Sequence, residues 1–278
     1  MKLPLSLPNM LTAFRIAMIP ASGAGGAPAP SPSARTAPHA VPSPRLPLTL
    51  PRVARTPVDL VLFDAFGTLL AMEPPAPLLH AALSDAGYSF APEVVQRALD
   101  REITHYRARM HIARDRAGLD ALRAECGAVL AEGLGAGAPP APEATALLVS
   151  SLRFRLHDDA VVCMDTLAAD GLRLGVVSNW DCALPDHLDA LGLADRFVVV
   201  ATSAAVGTAK PDPAIFHHAV QVAGVDPARA VHVGDRRVED YDGARAAGLR
   251  AVLLDRSGAP GPPGTITTLT EVSATIRG

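Results

Sequence analysis

The sequence predicts an α/β fold: a doubly wound, three-layer core on a parallel sheet, interrupted early by an all-helical insertion. Three observations predict it. An apolar run from Val58 to Phe63 stops at a single carboxylate, Asp64, and a glycine turn at Gly67 follows; a buried strand of a parallel sheet ends in this way. Amphipathic helical periodicity then continues for about ninety residues. The rest of the chain alternates strand and helix, the pattern of successive βαβ units.

The 278 residues carry a net charge of −3 and three cysteines, Cys126, Cys163 and Cys182. That length is enough to bury a sizeable core. With neither a basic excess nor an acidic run, nucleic acid is not an expected partner. The odd cysteine count, without metal-site spacing, fits reduced thiols in the cytoplasm and argues against zinc.

Residues 1 to 20 are apolar but broken by Pro4, Pro8, Arg15 and Pro20. The unbroken part is too short to cross a bilayer, and Arg15 falls where the apolar heart of a signal peptide would lie, so no stable membrane insertion is expected. From Ala21 to Pro57 the chain is rich in Ala, Ser, Gly and Pro. Proline at that density blocks helix and ladder hydrogen bonds, so residues 1–57 are expected to form a disordered extension.

The folded part is expected as an α/β core of residues 58–72 and 158–278, with 73–157 inserted as a helical cap. Within the cap the periodicity predicts helices over 78–86, 92–110, 119–134 and 143–156. In the second half it predicts helices over 162–169, 184–191, 213–222 and 240–247. Strands are predicted over 172–177, 197–201, 230–233 and 251–254, with a short closing segment at the end of the chain.

Four stretches carry chemistry. Asp64 ends the first strand, Val176-Val177-Ser178-Asn179 closes another, and Ala209-Lys210-Pro211-Asp212 puts a lysine before a helix start. Val231-His232-Val233-Gly234-Asp235, followed by Asp240, ends a further strand in acids. Ligands of open α/β sheets gather at the carboxyl edge of the strands. Taken singly, each residue also reads as a turn, a cap or a surface cation. In this order and at these separations, the four resemble the motifs of the haloacid dehalogenase (HAD) superfamily, in the branch with a helical cap between the first two motifs.

The resemblance implies roles. Asp64 would be the nucleophile, with Ser178 and Lys210 holding phosphoryl oxygens; Thr68 and Asn179 would support the substrate. Mg2+ would bind Asp64, the main-chain carbonyl of Phe66 and Asp235, with Asp240 as a direct ligand or one step behind. From the cap, His105 and Tyr106 are the expected substrate contacts, on a helix face that also reads as an ordinary solvated one. The substrate would be a small phosphorylated molecule and the protein a monomer or homodimer.

One position departs from that pattern. Phosphatases of the superfamily usually carry a second aspartate where this chain has Phe66, and a positioned general acid and base contributes roughly 10² to 10⁴ in rate. An aromatic residue there resembles the haloacid dehalogenases proper, whose departing halide needs no proton. The acids at Asp235 and Asp240 favour phosphoryl chemistry, leaving metal-independent 2-haloacid dehalogenation and non-catalytic binding of a phosphorylated ligand as alternatives. Separately, Leu7-Pro8-Asn9-Met10-Leu11-Thr12-Ala13-Phe14-Arg15-Ile16 resembles the opening of CDP-alcohol phosphatidyltransferases, which nothing downstream continues.

Overall fold

The computed structural model describes residues 57–278. The expectations for residues 1 to 56, including the proline-rich extension and the phosphatidyltransferase-like opening, lie outside the described residues.

The central sheet begins with β1 (Leu60–Phe63), four residues buried on both faces. After a turn, β2 (Leu70–Met72) leads into four helices: α1 (Pro75–Asp85), α2 (Pro92–Arg109), α3 (Arg116–Leu134) and α4 (Ala141–Ser151). β3 (Phe154–Leu156) returns antiparallel to β2, pairing Leu70 with Leu156 and Met72 with Phe154. There follow α5 (Ala160–Ala169), β4 (Arg173–Ser178), α6 (Leu184–Ala190), β5 (Val199–Thr202), α7 (Ser203–Val206) and α8 (Pro213–Ala223). β6 (Ala230–Gly234), α9 (Gly243–Ala246), β7 (Arg250–Leu253) and α10 (Val272–Arg277) complete the described chain.

The five-stranded sheet has the order β5-β4-β1-β6-β7, and every pair is parallel. β1 sits in the middle, so the carboxyl ends of β1, β4 and β6 share one edge, where the chain winds outward in both directions. Strand alternation divides the core. Val61 and Phe63 pack with Met164, Leu184 and Val272 of α5, α6 and α10 on one face. Leu60 and Leu62 pack with Ile215, Phe216 and Ala244 of α8 and α9 on the other, completing three layers. The inserted helices bury a cluster of their own around Leu79, Leu99, Leu122 and Leu148, and Ala183, next to α6, joins it.

Two expected helices differ. The helix expected over 143–156 ends at Ser151; Leu152 is extended, and Phe154–Leu156 become β3. A three-residue strand whose partner lies some eighty residues earlier leaves no local periodicity to read. The segment expected as a helix from Asp240 divides into a π-helical turn, Arg237–Asp242, and α9. The amides of Asp240 and Tyr241 both donate to the carbonyl of Arg236, which widens that turn.

Candidate active site at the carboxyl edge of the sheet

Asp64 leaves β1 still in register, its amide donating to Val233 O at 2.9 Å. The next turn closes on itself: Leu69 N and Leu70 N both donate to Ala65 O, and Gly67 N donates to Leu70 O. Gly67 has a φ of +93°, and a Cβ there would stand 2.6 Å from Asp235 Oδ2. Only glycine allows this turn and this approach.

Around Asp64 the other strand ends converge. Ser178 Oγ donates to Asp64 Oδ1 at 3.1 Å. Lys210 Nζ donates to Asp64 Oδ1 and to Asp240 Oδ1, each at 2.6 Å. Asp240 Oδ1 also accepts from His232 Nε2 at 2.9 Å, and its Oδ2 accepts from Arg236 N at 2.8 Å. Asp64, Ser178, Lys210, His232 and Asp240 are all buried.

Burial would discharge Lys210, but Asp240 and Asp64 outweigh it and raise its pKa. Asp240 is likewise pushed up by burial, yet the Lys210 charge and the His232 hydrogen bond hold its carboxyl below the ordinary range. Asp64 is raised, chiefly by burial, against the pull of Lys210. Asp235 is pushed up to about 8 by burial and by repulsion from Asp64 and Asp240.

Asp235 is the unsatisfied member. Its Oδ1 is buried without a hydrogen-bond partner, and oxygens of Asp64, Asp235 and Asp240 lie within 4.8 Å of one another. Hard carboxylate oxygens crowded this closely fit a divalent cation. Asp240 is the member already engaged by three donors.

The remaining expected residues are placed as follows. Thr68 Oγ1 is buried close to the turn without a partner, while the Thr68 carbonyl accepts from Arg256. Asn179 binds the backbone of Lys210 on both sides, Nδ2 donating to Lys210 O at 3.0 Å and Oδ1 accepting from Lys210 N at 2.8 Å. Its amide therefore clamps the lysine loop. Phe66 stands edge-on to Trp180, ring centroids 6.4 Å apart. Tyr106 Oη donates to Asp181 Oδ2 at 2.9 Å, tying α2 to the loop after Ser178. His105 pairs with Glu125 at 3.0 Å, within the helical insertion.

Two contributors escape a reading of the sequence alone, His232 and the main-chain amide of Arg236. A histidine inside the apolar run from Ala230 to Val233 is the one available signal, and such a residue more often reads as a satisfied core side chain.

The family pattern of haloacid dehalogenase-like hydrolases matches residues 58–248. The chain belongs to the haloacid dehalogenase-like hydrolases. Haloacid dehalogenase-like hydrolase domain-containing protein 3 of Bos taurus is 50% identical over 84 residues, 30% of this chain and 34% of that protein. Phosphoserine phosphatase of Thermus thermophilus is 38% identical over 115 residues, 40% of this chain and 45% of that protein. The match thus spans about a third to a half of these curated relatives. Among solved structures, the 2-haloacid dehalogenase from Pseudomonas syringae pv. Tomato DC3000 superposes with a TM-score of 0.57 at 26% identity, over 79% of this chain and 98% of that one. Among the described residues of this hydrolase, no helix is long and apolar enough to cross a membrane.

Proposed function

We propose that this hydrolase is a Mg2+-dependent phosphatase of small phosphorylated metabolites that works through an aspartyl phosphate on Asp64, in the cytoplasm, as a monomer or homodimer. The observation that carries the reading is Asp235: a buried carboxylate oxygen without a partner, set against a second carboxylate. Departure of a halide gives no use for that acid, whereas an anionic phosphoryl group needs a cation beside it. Mg2+ held by Asp64, Asp235 and the carbonyl of Phe66 would neutralise charge on the phosphoryl oxygens and lower the pKa of both carboxylates. The phosphatase names among the relatives support the same reading.

In this reading Asp64 forms a bond to phosphorus as the bond to the leaving oxygen breaks. Lys210 and Ser178, already on Asp64 Oδ1, hold the oxygens of the transferring group and stabilise its charge in flight. Water then attacks phosphorus and releases phosphate, regenerating the carboxylate. The helices α1–α4, tied down through Tyr106 and Asp181, act as a cap that excludes bulk water and selects the substrate. Phe66 offers no proton to the leaving oxygen, so acyl phosphates and other substrates with good leaving groups suit the site best.

The 278-residue chain is assayed for hydrolysis of para-nitrophenyl phosphate, with and without Mg2+, beside Asp64→Asn. Turnover that requires both the metal and Asp64 is expected, together with a melting temperature that rises with Mg2+. Dehalogenation is the second reading, favoured by Phe66 and by the superposed dehalogenase. Metal-independent release of halide from a 2-haloacid would establish it instead.

A further inference from the structure

Lys210 serves the phosphoryl group only if its ammonium is held in place, and Asp240 is the group that holds it from behind. Asp240 is itself fixed from three sides: by Lys210 Nζ, by the amide of Arg236, and by the ring of His232. His232 is fully buried in β6. A carboxylate oxygen only accepts, so Nε2 is the donor in the 2.9 Å bond to Asp240 Oδ1. Nδ1 is buried without a partner, and the ring meets Phe216 edge-on, centroids 5.1 Å apart at 80°. The bond to Asp240 is therefore the ring's one hydrogen bond among the described residues.

Strand geometry shows how this arises. Positions 232 and 234 lie on the same face of β6, and both address Asp240. His232 donates to the carboxylate from below, and Gly234 leaves the space it fills, since a Cβ there would stand 2.2 Å from Asp240 Cγ.

We propose that His232 is a positioning residue for the reaction: it orients Asp240 so that Asp240 Oδ1 holds Lys210 Nζ against Asp64. The inference rests on the phosphatase reading only for its kinetic readout.

The chain contains two lysines, Lys2 and Lys210, which gives the test a readout independent of turnover. NMR of the 278-residue chain labelled with 13C and 15N in lysine reports the Lys210 signal, with the Lys2 signal as an internal reference. In His232→Phe the Lys210 side-chain signal is expected to move and its ammonium protons to exchange faster. In the same variant kcat for para-nitrophenyl phosphate falls roughly 10- to 100-fold, as for loss of a support behind a functional ligand, with KM little changed. His232→Gln, whose side-chain amide N–H can reach the same oxygen, recovers most of kcat and restores the signal.

A His232→Phe protein that is folded, with the Lys210 signal and kcat of the wild type, would overturn the proposal. So would equal losses in both variants that follow a common drop in melting temperature. If the wild type has no phosphatase activity, the Lys210 signal in the two variants decides the proposal alone, and the functional reading fails separately.

Discussion

A Cβ on Gly234 would stand 2.2 Å from Cγ of Asp240, so the last residue of β6 and the carboxylate behind Lys210 occupy adjoining space that admits no methyl group. Gly234→Ala should displace Asp240 and, through it, Lys210. Misplacement of a catalytic group by about 1 Å costs on the order of 10²-fold in rate. The expected outcome is a loss of kcat of that order with the fold retained, measured by steady-state kinetics beside circular dichroism.

Phe66 leads to a second expectation, a steep dependence on the leaving group. The wild type should cleave acyl and aryl phosphates far faster than alkyl phosphates. Phe66→Asp introduces a carboxyl group two residues after Asp64, the proposed nucleophile, and should speed alkyl phosphate hydrolysis by roughly 10²-fold, within the range that general acids supply. Rates across a series of phosphate monoesters of rising leaving-group pKa check it; equal slopes for the two proteins would contradict it.

Away from the site, Asp159 joins three segments: its carboxylate accepts from Arg256, Leu269 N and Thr268 Oγ1. Burial opposes the charge, yet these donors outweigh it and hold the pKa at about 2, against 3.8 ordinarily. The folded pKa is depressed, so the unfolded chain takes up the proton first. The contribution, about 2 kcal/mol, is complete above pH ~4 and is lost as pH falls toward 2. Asp159→Asn should therefore be less stable than the wild type at pH 7, with the gap in urea midpoints narrowing below pH ~4.

Glu102 has the opposite sign. It is buried inside the helical insertion, and burial raises its pKa, partly offset by Cys126 and His105. Above the carboxyl's ordinary pKa the folded protein keeps a proton that the unfolded chain has released. Stability is thus lost as pH rises through the folded pKa. Glu102→Gln should raise stability at pH 7.5 and change little at pH 4, measured by thermal melts at the two values.

Much of the sheet is legible in the sequence because a buried parallel strand reads as an unbroken apolar run and ends where a polar residue must face the ligand edge. Leu60 to Phe63 before Asp64, and Val176 and Val177 before Ser178, show this pattern. The inserted helices are legible from their periodicity, except that the last stops at Ser151, short of the expected 156. What escapes is what depends on distant partners. β3 exists because β2 offers it a ladder, and the wide turn at Asp240 exists because two amides share the carbonyl of Arg236. The same limit applies at the site. Asn179 reads as a ligand contact by its position after Ser178, but its amide is taken by the backbone of Lys210. His105 and Tyr106 read alike on one helix, yet one turns to Glu125 and the other to Asp181. No sequence spacing conveys that choice, because both partners are brought in by tertiary packing.

In the proposed reaction Asp64 carries the phosphoryl group between the two half-reactions. The 278-residue chain, turning over para-nitrophenyl phosphate with Mg2+, is quenched in acid and reduced with borohydride, which converts an aspartyl phosphate to homoserine. Homoserine is expected at the position of Asp64, dependent on substrate and metal, in the peptide around the Phe63–Gly67 turn. Sustained turnover with Asp64 recovered unmodified at every quench time would contradict it.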